Sequence, residues 1–182
     1  MFPGPGTPLD GIASEGAVTN PATDIHLETF PRMSTSKIPP LLLMVLFAIA
    51  MLLATMLPPG STRFALQIPL ALTLLALSAL LIASALTGFL RARTSVSPRR
   101  PGRASAIVTS GIYRLSRNPM YLGFILLLAA WAVILAHPLS AILVPIFGGC
   151  LHHWQILPEE RVLEQKFGET FLDYKSRVRR WV

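Results

Sequence analysis

Apolar residues along this chain fall into four blocks separated by short polar breaks, and a different periodicity takes over after the fourth. Residues 38–57 carry no charge and stop at Pro58-Pro59-Gly60, a strong turn signal. Residues 64–90 run without interruption to Arg91 and Arg93. Residues 119–136 are closed by His137-Pro138, and residues 139–157 follow at once, interrupted by Pro145 and Gly148-Gly149. Blocks of about seventeen residues or more are what a helix needs to cross a hydrocarbon core of roughly 30 Å. The pattern predicts an all-α integral membrane protein with four transmembrane helices.

Beyond residue 157 the apolar positions thin to a stripe. Leu163, Phe167, Phe171, Tyr174, Val178 and Trp181 recur at intervals of three or four, the spacing of one helical face. Lys166, Asp173, Lys175 and Arg179 lie opposite. The spacing predicts an amphipathic helix over 158–181 lying in the interface plane, with Gly168 as a candidate bend. Residues 1–37 are rich in Gly, Pro and Thr without any period and read as a disordered segment, which leaves 38–182 as a single domain. They do not read as a signal peptide, because the apolar block begins too late, runs too long and shows no small-residue cleavage pattern. Met33-Ser-Thr-Ser-Lys has the character of a start just ahead of the first span, so residues 1–32 are expected to be dispensable.

Composition adds that only 14% of the 182 residues are charged, against roughly 25% in a typical soluble domain, which agrees with a membrane protein. Where the charges sit orients it. Arginines 91, 93, 99, 100, 103, 114 and 117 occupy one interspan loop with no acid among them, whereas the 58–63 break holds only Arg63. Short cytoplasmic loops are enriched in Lys and Arg, so the large loop, both termini and any site beside them are expected on the cytoplasmic side. The net charge of +7 thus points to anionic membrane lipids as partners, and no motif for nucleic acid accompanies it. The single cysteine, Cys150, lies within a span, which excludes an internal disulfide and a thiolate metal site. His152 and His153 diverge by about 100° on a helix and do not make a metal pair, so no metal is expected.

Candidate chemistry gathers at two places. Asn118-Pro119 is first a helix start, Asn at the cap and Pro at the first helical position. That explains neither Tyr113, Arg117, Tyr121 nor Gly123 around it. A helix N-terminus attracts anions, an arginine holds a carboxylate in a fork, and a glycine one turn in leaves room for a ligand's close approach. The second place is Pro158-Glu159-Glu160, immediately after the fourth block. Two acids in a first helical turn are ordinary dipole complementation. However, the third and fourth spans form a hairpin that returns both glutamates to the face of Arg117 and Asn118, where they could bind hydroxyls, an ammonium or another cation. Glu160 is expected at an exposed helix start. No phosphate-binding loop, dinucleotide fingerprint, zinc-protease helix or serine elbow is present in the sequence.

Taken together, Gly111-Ile-Tyr-Arg, Arg117-Asn-Pro-Met-Tyr-Leu-Gly123, Glu159-Glu160, Phe167-Gly168, Phe171, Tyr174 and Arg179-Arg180-Trp181 resemble the isoprenylcysteine carboxyl methyltransferase and phospholipid methyltransferase superfamily over roughly the C-terminal half. The resemblance implies a membrane-embedded methyltransferase using S-adenosylmethionine, bound between the last two spans and the C-terminal helix. It implies cofactor-binding roles for Tyr113, Asn118, Pro119, Tyr121, Gly123, Glu159 and Glu160, and a lipophilic or prenylated acceptor. Asn118 stands where members acting on prenylcysteine usually carry His. A carboxylate acceptor is already ionised at neutral pH and needs no base. Arg117 and Glu160 are accordingly the expected catalytic residues, Arg117 orienting the acceptor, with Tyr121 or Trp154 facing the sulfonium by cation–π attraction. Two other readings stay open: an NADPH-dependent membrane reductase of the sterol reductase type, and a non-catalytic protein that binds anionic lipid.

Overall fold

A computed structural model describes residues 38–91 and 107–182, all within one unit, Met33–Val182. The disordered segment expected at 1–37 and most of the arginine-rich loop lie outside the described residues. Among the described residues no strand is present, and the regular structure is helical. The helices are α1 Pro40–Ala54, α2 Gln67–Arg91, α3 Pro119–Leu135, α4 Pro138–Leu151, α5 Leu157–Phe167 and α6 Glu169–Arg177. A 3₁₀ turn, Gly111–Arg114, precedes α3, and a π-helical segment, His152–Ile156, joins α4 to α5.

Proline opens three of these helices, Pro40, Pro119 and Pro138 standing where the backbone N–H would be unsatisfied anyway. Helix α3 stops at Ala136, whose left-handed backbone (φ 48°) reverses the chain directly into α4. The break between α1 and α2 is tied to that reversal. Thr62 N donates to Ala136 O at 2.8 Å, Gln67 Nε2 to Ile134 O at 2.9 Å, and the His137 ring meets Leu57 O at 3.1 Å.

Helix α3 is the centre of the bundle. On one side α2 lies against it, with Ser78 Oγ donating to Gly123 O at 2.8 Å. On the other side α1 and α4 complete a core in which Met51, Leu128, Phe147, Leu151 and Ile156 are fully buried. Phe47 and Phe147 meet at 5.3 Å between centroids. Ser140 Oγ donates to Met51 O at 2.9 Å and Trp131 Nε1 to Ala48 O at 3.2 Å, so polar side chains are spent on carbonyls of neighbouring helices, as suits packing in lipid. Beside this core a groove of about 410 Å³ runs between α1 and α3, lined by apolar groups such as Ala48, Leu128 and Trp131, and it holds none of the candidate site residues.

Two helical runs, Gln67–Arg91 and Pro138–Phe167, are long and apolar enough to cross a membrane. Helices α1 and α3 are apolar but shorter, at 15 and 17 residues. The second long run corrects the expected boundary at 157: α4, the π segment and α5 are one continuous helix. The expected helix over 158–181 is also corrected. Gly168 adopts φ 50° and ψ −126°, a conformation essentially reserved for glycine, and this ends α5 and starts α6. Helix α6 stops at Arg177 and Val178 is extended. The stripe from Leu163 to Trp181 is therefore divided among two helices and a terminal strap, which we define as residues 178–182.

Candidate functional site

The polar residues singled out above meet at one end of the bundle. The 3₁₀ turn comes first. Gly111, at φ 62°, turns the chain so that Tyr113 is buried against α2, its ring 5.4 Å from that of Phe89 and steeply tilted to it. Gly88 permits this approach, since a Cβ there would come within 3.2 Å of the Tyr113 ring. The Tyr113 carbonyl accepts a hydrogen bond of 2.7 Å from Tyr174 Oη, which fastens α6 to the turn. Burial pushes both phenols up, Tyr174 to about 12 despite the nearby Arg117, so each keeps its proton at neutral pH.

The segment between the turn and α3 is held by the terminal strap. Arg117 N donates to Arg179 O at 3.1 Å. Ser116 Oγ and Asn118 Nδ2 both donate to Arg180 O, at 3.3 and 3.2 Å. Asn118 occupies the cap position of α3 as expected, yet its side chain makes no capping hydrogen bond: it is committed to the strap. Pro119 opens α3 and is fully buried.

Helix α5 brings the two acids. Tyr121 Oη donates to Glu159 Oε1 at 2.6 Å, which leaves Oε2 of that half-buried side chain for another donor. Glu160 is different. Its side chain is 9% exposed; it forms an ion pair with Arg117, Nη2 lying 3.1 Å from Oε1, and accepts hydrogen bonds from Arg180 Nε and Nη2 at 3.1 and 2.7 Å on Oε1 and Oε2. The exposed position expected for Glu160 is thus corrected: two guanidiniums enclose it. Arg117, 8% exposed, spends Nη1 on Lys175 O at 3.3 Å and Nη2 on Glu160. Its fork is therefore occupied from within, and only Nε is buried without a partner.

The structure brings Tyr113, Arg117, Asn118, Pro119, Tyr121, Glu159 and Glu160 to this end of the bundle. Gly123 is nearby on α3 but serves packing. A Cβ on it would stand 2.6 Å from Ile82 Cγ1, so its missing side chain admits α2 rather than a ligand. Trp154 is 48% exposed on the π segment, with His152 and His153 beside it. Sequence reasoning assigns no site role to Ser116, Tyr174 or, above all, Arg180, the last two entering there within the stretches that carry the family resemblance. The signal available was its place in Arg179-Arg180-Trp181, but nothing in the spacing says that a basic residue at the end of the chain folds back onto Glu160.

With this geometry in view, the comparisons with known proteins are informative. Protein-S-isoprenylcysteine O-methyltransferase B of Arabidopsis thaliana is 31% identical over 107 residues, 59% of this chain and 54% of the relative. Protein-S-isoprenylcysteine O-methyltransferase A of the same plant is 36% identical over 72 residues, 40% of this chain and 36% of the relative. This chain therefore spans about half the length of the first and about a third of the second. An uncharacterized protein of Haemophilus influenzae is 43% identical over 63 residues, the whole of that protein and 35% of this chain. No solved structure gives a significant match. The model of the phospholipid methyltransferase family matches residues 66–170, more than half of the chain and a range that includes both Arg117 and Glu160, and on that ground the chain belongs to the phospholipid methyltransferase family.

Proposed function

We propose that this protein transfers a methyl group from S-adenosylmethionine to a lipid-like acceptor, a prenylcysteine carboxylate being the leading candidate, at the cytoplasmic face of a membrane. The observation that carries this reading is the meeting of the start of α3 with Glu159 and Glu160 of α5, at the end of a bundle whose flanks are apolar. The acceptor class comes from the names of the Arabidopsis relatives.

The residues present fit the cofactor. Arg117 Nε, buried and unpartnered, is a donor for a carboxylate, and Glu159 Oε2 is an acceptor for a hydroxyl or an ammonium. Tyr113, Asn118, Tyr121 and Glu159 are the residues proposed to hold it, while Glu160 holds Arg117. When bound, S-adenosylmethionine supplies an electrophilic methyl group. The protein's own contribution is positional: Arg117 orients a carboxylate, Glu159 and Tyr121 fix a polar group, and the strap with α6 keeps water out. A carboxylate acceptor is ionised at neutral pH, so this set of residues has no proton to remove.

In this reading α1 and α3 also span. Fifteen and 17 residues rise about 22–26 Å, and a short apolar helix is accommodated by local thinning of the bilayer. The arginines between α2 and α3 support a cytoplasmic side for the site, beside anionic headgroups.

The test is a titration of detergent-solubilised protein with S-adenosylhomocysteine and separately with NADPH, followed by transfer of labelled methyl from S-adenosylmethionine to an S-prenylated cysteine. Saturable binding of S-adenosylhomocysteine and label in the acceptor are expected. Binding of NADPH alone would indicate a reductase and overturn the reading.

A further inference from the structure

Arg180 lies outside the residues that the family model matches, which end at 170. Its main chain and side chain are nevertheless tied to different elements of the candidate site. The carbonyl accepts from Ser116 Oγ and Asn118 Nδ2, just ahead of α3. The guanidinium grips both oxygens of Glu160 on α5. One residue therefore cross-braces the two helix starts between which a ligand would lie. Trp181, next along the strap, packs against the main core and anchors the brace.

We propose that Arg180 is a positioning residue of this site, acting through Glu160 to fix the orientation of the buried Arg117 guanidinium. The inference rests on the reading of the site given above. A carboxylate held by one contact swings about its terminal torsion, whereas a planar fork bonding both oxygens sets its plane. Arg117 reaches Glu160 through Nη2 alone, at 3.1 Å, so the plane of the carboxylate is set by Arg180. That plane in turn decides where Arg117 Nη2 rests, and hence where the unpartnered Nε–H of the same rigid guanidinium is held. Around the brace, two guanidiniums share the one Glu160 carboxylate, and Lys175 is matched by Glu164 at 3.1 Å.

The experiment measures S-adenosylhomocysteine affinity and thermal stability for the full chain and for Arg180→Ala, Arg180→Lys, Glu160→Gln and the double variant Arg180→Ala/Glu160→Gln. Arg180→Ala removes the fork that holds the buried Glu160 carboxylate, and is expected to weaken binding by at least about tenfold. Arg180→Lys keeps the charge but not the fork, and is expected to recover less than half of that loss on a logarithmic scale. In the Glu160→Gln background, Arg180→Ala should change affinity by less than about twofold, the signature of action through Glu160. Millimolar methylguanidinium should restore binding to Arg180→Ala, which a purely structural loss would not allow. If Arg180→Ala does not fold, Arg180→Lys carries the comparison, and affinity equal to that of the unsubstituted chain overturns the inference. Equal losses in both backgrounds also overturn it. Failure of the unsubstituted chain to bind S-adenosylhomocysteine overturns the functional reading and this inference together, whereas binding that Arg180→Ala leaves intact overturns this inference alone.

Discussion

Glu159 and Glu160 are adjacent on α5 and face different partners, and the difference separates holding the protein together from holding a ligand. Glu160 is paired with two guanidiniums, and that of Arg117 is only 8% exposed, so removing Glu160 strands a buried positive charge. Glu160→Ala is expected to destabilise the fold by about 3–5 kcal/mol, a large drop in thermal midpoint. Glu159 makes one hydrogen bond, with Tyr121 Oη, and Glu159→Ala should destabilise by only about 1–3 kcal/mol while weakening S-adenosylhomocysteine more than its stability loss explains. Comparable midpoints for the two variants would contradict this division. At this scale the sequence names residues that come together but not what each is committed to. That the two acids return to the end of the bundle where α3 starts follows from the hairpin, since both ends of a short-looped helix pair must return to one side; that Glu159 takes Tyr121 rather than Asn118 does not. That Glu160 would be closed off by Arg180 did not follow, because it depends on a non-helical tail whose course no periodicity records.

At the scale of elements, the close approach of α2 and α3 rests on Gly123. Its carbonyl takes the Ser78 hydroxyl, and its missing side chain is filled by Ile82. Gly123→Ala is expected to destabilise by about 1–3 kcal/mol through overpacking, and adding Ile82→Ala should recover part of the loss in thermal unfolding. A Gly123→Ala variant as stable as the unsubstituted chain would show that the helices can separate freely. The apolar blocks located all four main helices because hydropathy is a local property. At the C-terminus the spacing over 163 to 181 gives one stripe with Gly168 as a candidate bend; the bend is there, and the positive-φ conformation of Gly168 makes it a full break that cuts the stripe in two. Gly123 shows a related limit: a small residue permits close approach, sequence does not tell whether a ligand or another helix takes the space, and here Ile82 of α2 lies against it.

At the scale of the whole molecule, four crossings would put the α1–α2 break and the strap on opposite sides of the membrane. With Cys150 replaced by Ala, single cysteines at Ser61 and Ser176 should react with a membrane-impermeant maleimide from opposite faces of sealed vesicles, Ser176→Cys from the cytoplasmic one. Labelling of both from the same face would contradict the four-span reading. The π-helical segment His152–Ile156 has its own consequence for this layout. A π turn accommodates one residue more than an α turn, and each residue advances a helix by about 100°, so the segment acts as a rotational offset built into a single long rod. Everything before it is indexed to the bilayer and to α1 and α3. Everything after it is turned by that offset, which is what directs the two glutamates at the polar start of α3. The same rod can thus carry apolar packing along one half and a polar site along the other, without a hinge between them.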